Sequence, residues 1–165
     1  MAILGGVLGF AMLLAVGGLA LVIGEPLVFP SLGPTVFIQM QRPQPASASA
    51  WNTVVGHAIG IVAAMLALAV TGAMETPPPI TSGLLSWQRE LASALAVGLT
   101  IAGQVPLRAS HAPAAATTLL ITLGAISPEW RAITVIAGGV IVMALLGEAG
   151  RWLMAKATSP TAQDH

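Results

Sequence analysis

Apolar positions run along this chain in long blocks, and most charged side chains stand at the block edges. Residues 1–24 carry no Asp, Glu, Lys or Arg, and neither do residues 51–74 or 91–107. Residues 132–154 form a fourth block, ending among Arg151 and Lys156. About 20 apolar residues span the hydrocarbon core of a bilayer. The first, second and fourth blocks therefore predict full transmembrane helices, and the third sits at the lower length limit. The first block has no basic residue before it and no small-residue cleavage site after it, so it reads as a span rather than a signal peptide.

Two apolar stretches are punctuated differently. Residues 26–41 are interrupted by Pro26, Pro30 and Pro34, and residues 109–127 open with His111 and Pro113 before an uncharged run. Each predicts an irregular opening followed by a short helix. Irregular backbone at membrane depth needs protein or a wet cavity around it, because lipid cannot satisfy its N–H and C=O groups. Re-entrant stretches give four crossings, and broken crossing helices give six. The remaining segments are short: a Pro/Gln/Ser loop at 42–50, a connector at 75–90 with Pro77, Pro78 and Pro79 and an interfacial helix around 86–90, and a disordered tail at 157–165. The fold class is all-α: a polytopic helical membrane protein with four full spans plus two proline-broken short helices, in one transmembrane domain over residues 1–156.

The order of span, broken segment and Trp-led span occurs twice. Sliding the chain so that Trp51 falls on Trp130 also places Gly24 on Gly103, Ser31 on Ser110, Pro34 on Pro113 and Gly60 on Gly139. Units 1–79 and 80–158 would be inverted repeats if each crosses three times (a 3+3 arrangement) and parallel repeats if each crosses twice. The identities alone are no more than an Ala/Gly/Leu-rich chain yields by chance. The match of landmarks at equivalent places in the hydropathy pattern is the stronger argument, and transporter folds are often built this way.

Composition and charge then narrow the class. Hydrophobic residues make up 56% of the 165 and charged ones only 7%, against about 25% charged in soluble domains. A formal net charge of zero and 4% aromatics argue against nucleic acid as a partner. Without cysteine there is no disulfide, thiolate nucleophile or zinc-thiolate site. No catalytic motif stands out, so no enzyme, cofactor or metal is expected. The lipid bilayer is the predicted partner. The six basic side chains flank the blocks, which leaves no evident buried countercharge. Their distribution weakly favours cytoplasmic termini, in the inner or plasma membrane of a prokaryote.

The chemistry lies in the broken segments. Pro34 and Pro113 suit the first turn of a helix, and helix starts at bilayer depth aim N–H groups and positive dipole ends at an anion. Candidate substrate-binding residues are Ser31, Gly33, Pro34, Thr35, His57, His111, Pro113 and Thr117; candidates for proton coupling are Glu25, His57 and His111. Histidine changes charge near neutral pH. Either histidine is also explained as a plain hydrogen-bonding group, Glu25 as an interfacial charge, and both prolines as starts of packing helices. If functional, Glu25 would accept a proton or pair with His57 or Arg108, while Asn52 and Thr53 would bind a ligand or cap their helix.

Phe29-Pro-Ser-Leu-Gly-Pro-Thr-Val-Phe, then Gly56-His57, then Ser110-His-Ala-Pro-Ala-Ala-Ala-Thr-Thr resemble, in that order, the HPP family of integral membrane proteins, named for a His-Pro-Pro motif. The resemblance spans residues 24–147. It implies a helical membrane domain, usually described with four transmembrane helices, and its plant and cyanobacterial members are associated with nitrite transport. Carried over by position, it covers His111, Pro113, Thr117, the stretch from Ser31 to Thr35, and Gly56-His57. Ala112 departs from it, standing where the family has its first proline. Together these features predict a transporter of a small anion such as nitrite, with a non-transporting membrane scaffold or partner subunit as the alternative and a homo-oligomer compatible with both.

Overall fold

The computed structural model describes residues 2–41 and 46–158. Among them are seven α-helices: α1 (Ala2–Ile23), α2 (Leu32–Gln41), α3 (Ala50–Val70), α4 (Pro79–Ser82), α5 (Trp87–Gln104), α6 (Pro113–Thr122) and α7 (Trp130–Thr158). No described residue lies in a strand. Three helices, α1, α3 and α7, are long and apolar enough to cross a membrane.

The remaining predicted span is displaced. α5 starts at Trp87, where the Ser86 hydroxyl accepts from Arg89 N–H as an N-cap. Gln88, Arg89 and Glu90 thus form its first turn, and this polar turn separates α5 from the three apolar helices. No separate interfacial helix exists at 86–90; the short helix of the connector is α4, with Pro79 in its first turn. α3 stops at Val70, earlier than its apolar block, because Gly72 turns the chain at φ +68°. α7 continues through Ala157 and Thr158, and the rest of the expected tail lies outside the described residues, as does Arg42.

Both broken segments consist of irregular chain followed by a ten-residue helix, α2 and α6. Side-chain contacts fix the relative directions. Gly5 lies against Met40 and Gly9 against Val36, so α1 and α2 are antiparallel. Gln39 Nε2 donates to Thr53 Oγ1, and Thr35 Oγ1 lies 3.3 Å from His57 Nε2, so α2 and α3 are antiparallel. Trp51 Nε1 donates to Leu107 O and Gly103 approaches Ile59, which makes α3 and α5 antiparallel. Gly56 meets His111 and Gly60 meets Ala114, so α6 runs parallel to α3. Glu25 pairs with Arg131, and Gly5 approaches Met154, which sets α7 antiparallel to α1. The six longer helices therefore alternate in direction along the chain.

α3 is the hub, packed on α5, α6 and α7, and α7 in turn packs on α1 and α2. The core joins Val16, Leu32, Leu68, Ile121 and Met143, all fully buried. Lipid offers no hydrophobic force to drive helices together, so close backbone approach through small residues carries the packing. A Cβ on Gly60 would stand 2.9 Å from Ala114 O, and one on Gly139 would stand 2.5 Å from Leu27 O. α1 presents Ile3, Val7, Phe10, Leu14 and Leu21 outward, as a helix facing lipid does.

Candidate functional site

Ser31, Thr35 and Gln39 recur every fourth residue, which lines them along one face of α2 and the turn before it. Thr53 and His57 have the same spacing on α3. All five are buried in a chain otherwise dominated by apolar residues. Gly56, beside His57, leaves room for the next component: a Cβ there would come within 2.7 Å of His111 Cβ. α6 adds Thr117.

Ser31, Thr117, His57, Thr35 and His111 form one continuous polar chain, while Gln39 and Thr53 pair with each other. Ser31 Oγ lies 2.6 Å from Thr117 Oγ1, and Thr117 Oγ1 lies 2.8 Å from His57 Nδ1. His57 Nε2 lies 3.3 Å from Thr35 Oγ1, which lies 3.2 Å from His111 Nε2. His111 Nδ1 donates to Ser47 O at 2.8 Å. Thr35 Oγ1 also has Ser31 O as an acceptor at 2.9 Å. The imidazole centroids are 5.1 Å apart, and Phe29 stands edge-on to His57 at 6.5 Å. Gln104 of α5 fastens the turn before α6: His111 N–H donates to Gln104 Oε1, and Gln104 Nε2 donates to His111 O.

Of the predicted substrate-binding residues, Ser31, Thr35, His57, His111 and Thr117 converge in this cluster. Pro113 is buried at the start of α6, while Gly33 and Pro34 are exposed on the opposite side of α2. The helix starts are also not free to bind an anion through their N–H groups. Leu32, Gly33 and Thr35 N–H donate to Phe29, Pro30 and Ser31 carbonyls, and Ala114 and Ala115 N–H donate to His111 and Ala112 carbonyls. The polar groups gathered at this site are hydroxyls and imidazoles instead.

Glu25 is bound to neither His57 nor Arg108. It accepts from Arg131 Nη2 at 2.6 Å, and the two residues line a cavity of about 520 Å³ together with Phe29 and Pro30. Asn52 Nδ2 donates to Ser110 O, and Ser49, rather than Asn52 or Thr53, caps α3. The basic residues do not all sit at the edges. Arg89 is only 3% exposed; its Nη1 donates to Thr122 O, Nη2 to Thr76 O and Nε to Thr76 Oγ1. It thereby meets the carbonyl end of α6, where a cation is favoured.

The polar face of α2 was legible in the four-residue spacing from Ser31 to Gln39. The pairing of Gln39 with Thr53 and of Gln104 with the His111 backbone is not legible there, because each depends on which helices are neighbours. No group of three or more His, Cys, Asp or Glu side chains suited to a metal occurs among the described residues.

The chain matches the family model described as HPP, transmembrane region, over residues 1–159. No curated protein and no solved structure matches it. Coverage of nearly the whole chain, with helices apolar and long enough to cross a bilayer, places this protein in the HPP transmembrane family as an integral membrane protein.

Proposed function

We propose that the chain is a non-enzymatic transporter of a small monovalent anion, with nitrite as the reference substrate. One observation carries this reading: both broken segments deliver their polar side chains to a single buried cluster with His57. Polar and ionisable groups are costly within a membrane and tend to mark substrate or proton pathways. Hydroxyls and imidazoles can solvate an anion weakly and reversibly, without a fixed cation to trap it.

The proposed topology has six crossings, supported by the alternating helix directions. Under it α1–α3 and α5–α7 form inverted units, and both termini share one face, which we assign to the cytoplasm of a prokaryotic cell. The outward position of Gly33 and Pro34 favours the scaffold alternative, since a binding role would turn them inward.

Counterflow of labelled nitrite into proteoliposomes tests the reading. Wild type is expected to exceed protein-free liposomes, and the His57→Ala/His111→Ala double variant to fall to their level. Unchanged flux in that variant removes the histidines from the mechanism. Absence of flux for any small monovalent anion leaves the scaffold.

A further inference from the structure

The geometry points to a one-proton store in the His57–His111 pair, loaded only from the Ser31 end and switched by the Thr35 hydroxyl. This rests on the transport reading and names its coupling ion.

Valence fixes one end of the arrangement, and the proposed store fixes the rest. A carbonyl only accepts, so His111 carries a proton on the Nδ1 that faces Ser47 O. With His111 neutral, Nε2 is bare and accepts from Thr35 Oγ1 whenever that hydroxyl is not turned to Ser31 O. Thr35 Oγ1 then accepts from His57 Nε2, which leaves His57 Nδ1 bare to accept from Thr117. Thr117 Oγ1 accepts from Ser31. Every link holds one proton, and all point from Ser31 toward His111.

Loading reverses the chain. Ser31 Oγ takes a proton and passes its own to Thr117, which passes one to His57 Nδ1. His57 releases its Nε2 proton to Thr35, and Thr35 gives its proton to His111 Nε2. One proton enters, each oxygen remains a hydroxyl, and His111 becomes imidazolium. The Ser47 carbonyl has no proton to exchange, so the relay is closed at that end. Ser31 follows Phe29 and Pro30, which line the cavity beside Glu25, Glu129 and Arg131. Thr35 has one further option: turning its proton to Ser31 O breaks the relay between the two rings.

The loaded pair has no carboxylate among its bonded partners. Around it stand Thr35 from α2, Thr117 from α6, Gln104 from α5, the Ser47 carbonyl and the Phe29 ring. None of these groups carries a charge of its own. A monovalent anion is then the countercharge, which sets one proton per anion and no net charge moved.

The test is reconstituted full-length protein with a nitrite gradient, a luminal pH dye and a clamped membrane potential, corrected for protein-free liposomes. Expected are one proton per nitrite and a rate insensitive to potential. Thr35→Val should slow proton entry by about tenfold or more, and Thr35→Ser should restore it. Wild-type proton coupling in Thr35→Val, or a current accompanying nitrite, overturns the store. Nitrogen-15 solid-state NMR of histidine-labelled wild type in bilayers, assigned with His57→Gln and His111→Gln, reads the relay without transport. His57 protonated on Nε2 and His111 on Nδ1 supports the arrangement, and a shared tautomer overturns it. Absent flux with the expected tautomers removes the transport reading alone.

Discussion

The rings of His57 and His111 meet edge-on at 5.1 Å with their planes inclined at 62°, and all four ring nitrogens have a hydrogen-bond partner. One hydroxyl, that of Thr35, touches both. The pair exists because α3 is bare where α6 approaches it. Gly56 admits His111, and Gly60 admits Thr118 Oγ1 and Ala114 O.

That approach predicts a sharp glycine dependence. Gly60→Ala should destabilise the protein by about 1–3 kcal/mol, because the added methyl meets a backbone carbonyl that cannot yield without moving α6. Gly6→Ala and Gly18→Ala have open space and should be near neutral. Thermal unfolding in detergent, followed by size-exclusion recovery, checks the contrast; equal losses in all three would refute it.

Arg89 supplies a second test. Its guanidinium divides three donors between Thr76 and Thr122, a fork that an ammonium cannot reproduce. Arg89→Lys should cost about 1–3 kcal/mol, and Arg89→Ala at least as much, since both leave acceptors unpaired among the half-buried Thr76 oxygens and the buried Thr122 carbonyl. The loss should appear as a lower unfolding temperature of the reconstituted protein.

Gln39 is fully buried, and its Oε1 has no hydrogen-bond partner among the described residues. Gln39→Met keeps the length, gives up one bond to Thr53 and removes the orphaned oxygen. Stability should stay within about 1 kcal/mol of wild type or rise. A fall well beyond that in the same unfolding assay would mean that Oε1 is satisfied in the bilayer.

Topology is open to direct chemical reading, because the chain has no native cysteine. Six crossings place Ala46→Cys and Leu107→Cys on one face, and Ser82→Cys and Ser127→Cys on the other; all four positions are exposed. A membrane-impermeant maleimide should label one pair from outside and the other only after permeabilisation. Labelling of Ala46→Cys and Ser127→Cys from the same side would restore four crossings with re-entrant α2 and α6.

The linear pattern by itself determined much of this protein. Low charge and long apolar blocks demanded a bilayer, because twelve charged side chains cannot solvate a soluble surface of this size. Prolines at 26, 30, 34 and 113 set where chain gives way to the short α2 and α6, since proline has no N–H to bond and fixes its own φ. Three long helices followed from block length alone. What the pattern could not decide was pairing. Arg89 looked like an edge charge until the end of α6 arrived above it, and Glu25 found Arg131 from the far end of the chain. The meeting of His57 with His111 is likewise set by helix neighbours and by the bare faces of Gly56 and Gly60. Hydropathy reports the depth a residue occupies, while contact between distant residues depends on which surfaces can approach, and only the packed tertiary structure decides that.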